Sequence, residues 1–217
     1  MLLAPRALYP VHTFAGEGAW LPVSVAELKT HIGLPPEDTS RDVELTAFIV
    51  AAMRAVEAFA SIRVRRVTVT AAMNLTHERF ALCIRPFASM TRIDIVADGT
   101  GEITTVPTAT YHVQPTGQHA ARVVLGADAE WPDIAVRDDA VRAVYEAGWA
   151  DVASVPADVK LAILMTAAKL DANRGDCGCD DGGGGTVYAM KNSRPSALPE
   201  TAAMLLQPYL YMGLVIA

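Results

Sequence analysis

The chain has 217 residues, with 18 lysines and arginines against 24 aspartates and glutamates, and a net charge of −6. With 52% hydrophobic residues it is too apolar for a disordered chain and long enough to bury a substantial core. The acidic balance, with four lysines in all, excludes a protein that grips nucleic acid over its whole surface but not a local basic patch.

Residues 1–22 carry three prolines and two glycines without periodicity, which predicts an extended arm. Ser24 followed by Glu27 fits a capping box, Leu28 and Ile32 supply an apolar stripe, and Gly33 with Pro35-Pro36 stops that helix near residue 34. Thr39 with Asp42 starts a second helix, predicted over 40–60. Its apolar residues Phe48, Ala52, Ala55, Val56 and Phe59 recur at helical spacing. The middle of the chain changes period. Val67 and Val69 alternate with threonines, Phe80, Leu82 and Ile84 alternate with Ala81, Cys83 and Arg85, and Ile93 and Ile95 alternate again. Asp98-Gly99-Thr100-Gly101 supplies turn chemistry before Ile103, and Tyr111–Val113 and 122–125 read as further strands. Connections too short for helical crossovers make these strands antiparallel. Residues 138–149 fit a helix or a strand, with propensity leaning to helix.

Pro156 suits a first helical position, and Val159, Ala162, Ile163, Thr166, Ala167 and Leu170 fill one face of a helix over 156–172. Leu161, Leu164, Met165 and Ala168 make the rest of it apolar too, so it is expected to be buried on more than one side. A glycine-rich loop spans 175–198, a last helix 199–207, and an uncharged tail 209–217. The tail either covers its own core or docks on another subunit, for example by adding a strand to an exposed edge.

The search for chemistry names no reaction. There is no phosphate-binding glycine loop, no nucleophile elbow and no metal-binding histidine spacing. Cys177 and Cys179, flanked by Asp176, Asp180 and Asp181, are the metal-ligand candidates, but a structural zinc site needs four converging ligands and there is no second pair. A metal-binding enzyme using this loop is the alternative class; otherwise no cofactor is expected. Arg63, Arg65 and Arg66 form a basic cluster that reads either as a contact for phosphate or an acidic partner, or as a solvated helix-to-strand junction. The odd, sparse cysteines fit a reducing compartment, and no apolar run approaches the ~20 residues that cross a bilayer, so a soluble protein without a membrane partner is expected.

Several segments in order resemble a known family. They are Pro22-Val23-Ser24-Val25-Ala26-Glu27-Leu28-Lys29; an acidic linker and a helix ending Val56-Glu57-Ala58-Phe59; Tyr145-Glu146-Ala147-Gly148-Trp149; Val155-Pro156-Ala157-Asp158-Val159 and the helix that follows; and Leu205-Leu206-Gln207-Pro208-Tyr209. Together, over about residues 22–210, these are similar to the head–tail connector (adaptor) proteins of long-tailed bacteriophages and gene transfer agents. The 175–198 loop departs from that pattern. The resemblance implies a strand at 145–149, and hence an α+β fold. A helical bundle carries an inserted antiparallel β-sheet module at about 63–149, within an adaptor domain over 23–208. It further implies a non-enzymatic virion protein of the neck, assembled in the host cytoplasm. Such proteins form a homo-oligomeric ring, typically of twelve copies, under the portal. The ring extends a channel through which double-stranded DNA passes without sequence specificity, and carries a stopper or tail-completion protein. On this reading Leu161, Leu164 and Met165 meet a neighbouring subunit. Tyr209, Tyr211, Met212, Leu214, Val215 and Ile216 meet the portal. A stopper or tail-completion protein is the nearest alternative.

Overall fold

The computed structural model describes residues 11–74, 79–117, 119–174 and 198–210. They fall into two compact units. One comprises Ser61–Asp151 with the arm up to Trp20; the other comprises Leu21–Ala60 with the chain from Val152 onward. The fold class is α+β.

The helical unit holds α1 (Val25–Ile32), α2 (Asp42–Ala60), α3 (Ala157–Ala172), α4 (Glu200–Leu205) and a closing 3-10 turn, Gln207–Tyr209. The capping box forms as the sequence predicts. Ser24 Oγ accepts the Glu27 N–H at 3.1 Å, while Glu27 Oε2 accepts the Ser24 N–H at 2.6 Å. These bonds hold the Glu27 carboxyl below its ordinary pKa. Ser24→Ala is expected to cost about 1 kcal/mol, measurable by urea denaturation. Gly33 closes α1 at φ 74°, a left-handed conformation that a Cβ disfavours.

The buried face of α2 differs from the expected one. Leu45, Ile49, Ala52, Met53, Val56 and Ala60 are buried, whereas Phe48 and Ala55 are half-buried and Phe59 is 38% exposed. Apolar residues almost encircle this helix, so packing rather than periodicity selects the face. The predicted α3 face is present over most of its length: Val159, Ala162, Ile163, Thr166 and Ala167 are buried, while Leu170 is half-buried. Pro156 caps that helix instead of opening it, with Ala157 as the first helical residue. Helix α2 packs along α3, and α3 against α4. Arg41, just before α2, pairs with Asp171 near the end of α3. Lys29 is buried with its Nζ 2.6 Å from Asp42 Oδ1, an ion pair out of hydrogen-bond alignment, and it donates to the Pro36 carbonyl at 3.2 Å.

The β unit contains two sheets. The larger has the order β1 (Val11–Ala15), β2 (Val67–Met73), β8 (Val141–Ala147), β4 (Phe87–Val96), β5 (Ile103–Thr105). The smaller has the order β3 (Arg79–Leu82), β7 (Ala120–Leu125), β6 (Tyr111–Thr116). All pairings are antiparallel. One face of β2 (Val67, Val69, Ala71) and of β8 (Val141, Ala143, Tyr145, Ala147) joins Leu82, Ala121, Val123 and Tyr111 in a single core. Residues 141–147 are thus a strand, in agreement with the family resemblance and against helix propensity. Strand β8 sits between β2 and β4; Val141, Ala143, Tyr145 and Ala147 line its core face, while on the other face Val144 is buried and Arg142 and Glu146 are half-buried. Part of the arm also joins this sheet: Val11–Ala15 pairs along β2 from Val11↔Ala72 to Ala15↔Thr68.

Candidate functional site

Of the three arginines singled out in the sequence, Arg63 and Arg65 meet the arm and Arg66 meets the end of β8. The Arg63 guanidinium lies 3.6 Å from the Phe14 ring centroid. Arg65, only 9% exposed, donates to the Gly18 carbonyl at 2.7 Å and pairs with Glu17 at 3.5 Å. Arg66 donates to the Gly148 carbonyl at 3.2 Å and faces Glu146 at 3.7 Å. The first two hold the arm against the sheet, and the third binds the end of β8. Burial, reinforced by the Arg63 charge, pushes the pKa of His12 down, so this imidazole stacked on Phe14 is neutral at pH 7. Arg65→Ala is expected to cost about 1.5–3 kcal/mol and to open residues 16–20 to limited proteolysis. A phosphate contact at Arg65 would require giving up these bonds.

Gly148 makes that arrangement possible. Its φ is 102°, its N–H donates to the Pro86 carbonyl at 2.9 Å, and a Cβ at this position would lie 2.2 Å from the Arg65 carbonyl oxygen. The strand end and the arginine segment therefore touch backbone to backbone, with Arg65 bridged to Trp149.

In the helical unit the proposed interface residues of α3 occupy its outer sides. Leu161 is 40% exposed, and Leu164 and Met165 are half-buried. Met204 on α4 is 65% exposed, an apolar side chain that the sequence reading did not single out. Tyr209, grouped with the tail in the sequence, belongs to the closing turn. It is 5% exposed, and its hydroxyl donates to the Asp158 carboxylate, 2.9 and 3.0 Å from the two oxygens. Burial and that neighbouring carboxylate push the Tyr209 phenol pKa up. Tyr211, Met212, Leu214, Val215 and Ile216 lie outside the described residues, as do Cys177 and Cys179. Among the described residues there is no group of three or more His, Cys, Asp or Glu side chains placed to hold a metal ion. No described helix is long and apolar enough to cross a membrane.

A similar fold is found in solved structures. A chain in the neck of an empty GTA particle computed with C6 symmetry is 21% identical, with a TM-score of 0.60 over 91% of this chain and 95% of that one. A chain in the virion of a native gene transfer agent (GTA) particle is 20% identical, with a TM-score of 0.61 over 90% and 94%. This protein shares their fold. A third chain, from the neck of a native GTA particle computed with C12 symmetry, is 19% identical, with a TM-score of 0.58 over 90% and 93%. No protein-family model and no curated protein matches the chain.

Sequence reasoning missed strand β1 as an element of the sheet and Gly148 as its tightest contact. The alternation of Val11 and Thr13 with His12 and Phe14 was the available signal for the first. The second had none, because nothing in the local sequence marks a backbone approach made by residues more than eighty positions away.

Proposed function

We propose that this protein is a structural neck component of a phage-like particle, an adaptor that forms a ring under the portal. The observation that carries this reading is the shared fold over about nine-tenths of the chain with chains from GTA necks, one of them computed with C12 symmetry. Twelve copies would extend the DNA channel and present a platform for a stopper or tail-completion protein. Leu161, Leu164 and Met165 would meet the neighbouring subunit, which gives the apolar outer sides of α3 a partner. The residues beyond the anchored Tyr209 supply an uncharged segment for docking on another neck component. The net charge of −6, repeated around a ring, repels DNA phosphates and lets a duplex pass without being held. The role needs no catalytic group, and its place is the virion.

Co-purification tests the assignment. The protein is expected on portal-bearing heads from a host that makes no tails, and to be missing from free tails. Recovery with free tails alone would make it a tail-completion protein, and recovery with neither would remove it from the neck.

A further inference from the structure

His12 occupies a place that suits it only while it carries no charge. It lies within the antiparallel pairing of β1 with β2, opposite Ala71, its ring stacked on that of Phe14 with 6.4 Å between centroids. Its Nε2 is buried and has no hydrogen-bond partner among the described residues. Strand β2 brings no titratable side chain to it, since Val67–Met73 reads Val-Thr-Val-Thr-Ala-Ala-Met. The charged group that acts on it is Arg63, whose guanidinium lies 3.6 Å from the Phe14 ring centroid. The nearby Arg65 is engaged with Glu17 and the Gly18 carbonyl, and Arg66 with Glu146 and the Gly148 carbonyl. Burial and Arg63 both disfavour the imidazolium.

Strand β1 is also the piece of the sheet most easily lifted. It has five residues and stands at the end of the strand order, paired with β2 alone among the described residues. A short edge strand opens locally at far less cost than a central one such as β8. Its departure would bare β2 from Thr68 to Ala72, and an unpaired edge is a template for another strand.

We propose that His12 is a proton-operated latch on the arm: β1 lies on β2 while the imidazole is neutral, and a second ring proton drives it off and bares the edge of β2. The latch is separate from the ring reading and acts within a single copy. Its sign follows from the protons bound. The docked imidazole is held below its ordinary pKa of 6.5, a value that the released arm regains in water. The released state therefore binds more protons. Docking is undisturbed well above pH 6.5 and weakens as pH falls below it, until the docked imidazole itself takes up a proton. Over that window the ratio of docked to released arm falls by up to about tenfold per pH unit.

Hydrogen exchange on the full chain, corrected for the intrinsic pH dependence of amide exchange, tests the latch. Between about pH 7.5 and about pH 4.5 the Val11–Ala15 peptide is expected to lose protection by about tenfold or more, while Val141–Ala147 in the middle of the sheet keeps its own. His12→Phe retains a ring that can stack on Phe14 and has no proton to gain, so its arm is expected to stay protected throughout. Glu17→Gln, which removes the carboxylate paired with Arg65, is expected to leave the pH response in place. Protection that does not change with pH, or that falls equally in His12→Phe, would overturn the proposal. A response abolished by Glu17→Gln would place the switch at that carboxylate instead. Joint loss of protection at Val11–Ala15 and Val141–Ala147 would mean unfolding of the whole unit, with no latch. The titration of the imidazole by NMR in the unaltered chain needs no variant. Its midpoint is expected below 6.5, with the Val11–Ala15 amide signals changing over the same range; a midpoint at or above 6.5 would contradict the latch.

Discussion

Replacing Gly148 with alanine is expected to destabilise the β unit by about 3–5 kcal/mol, enough to leave much of the protein unfolded. Two independent costs act at this position. A φ of 102° is strained for any residue with a Cβ. The new methyl would also sit 2.2 Å from the Arg65 carbonyl oxygen, 2.6 Å from its carbon and 2.9 Å from the Arg66 nitrogen. These are backbone atoms, so no side chain can swing away to relieve the clash. The displaced segment carries Arg65, which holds Gly18, and Arg66, which bonds Gly148 itself. Loss of the arm should therefore accompany loss of stability. Chemical denaturation checks the first and proteolysis at residues 16–20 the second. A variant as stable as the parent would show that the two segments are not in backbone contact.

The second large effect is alkaline. Burial pushes the phenol pKa of Tyr145 up; the Ile84 N–H, donating to its hydroxyl at 3.2 Å, works in the opposite direction and is outweighed. Tyr209 is raised by burial and by Asp158, and Tyr111 by burial. In the unfolded chain these phenols lose their protons near pH 10. The folded state keeps them longer, so it binds more protons than the unfolded state above that pH, and stability must fall as pH rises. The stabilisation is complete below about pH 10 and is lost at up to ~1.4 kcal/mol per pH unit for each tyrosine, until the folded-state values are reached. Denaturation between pH 8 and about pH 12 measures the slope. Tyr145→Phe and Tyr209→Phe are each expected to flatten it by one proton, with Tyr209→Phe also costing about 1.5–3 kcal/mol at neutral pH. Slopes identical to that of the parent would contradict the burial of these hydroxyls.

How much of this was legible in the sequence depended on whether the cause was local. The α1 cap and stop were legible because Ser24, Glu27 and Gly33 act within one helical turn. The alternation in β2 was legible because a strand with one face in the core and the other outside it imposes period two. Strand β8 was ambiguous from its residues, since Val141, Ala143, Tyr145 and Ala147 keep the strand alternation while Val141, Val144 and Tyr145 also suit a helix face; family resemblance decided between them. The face of α2 was misread toward Phe48 and Phe59, because a run such as Phe48–Met53 offers apolar residues in every direction. The arm was masked by Pro5, Pro10 and Gly16, and its strand exists through bonds to β2, more than fifty residues later. The arginine cluster was visible as charge, but its partners, Phe14, Glu17, Gly18 and Gly148, were not.

Placing the chain in an intact particle tests the central claim most directly. A reconstruction of the neck is expected to show this fold as a ring between the portal and the next component, with α3 meeting a neighbouring copy. A particle in which this chain lies in the tail or capsid shell, or as isolated copies, would contradict the account.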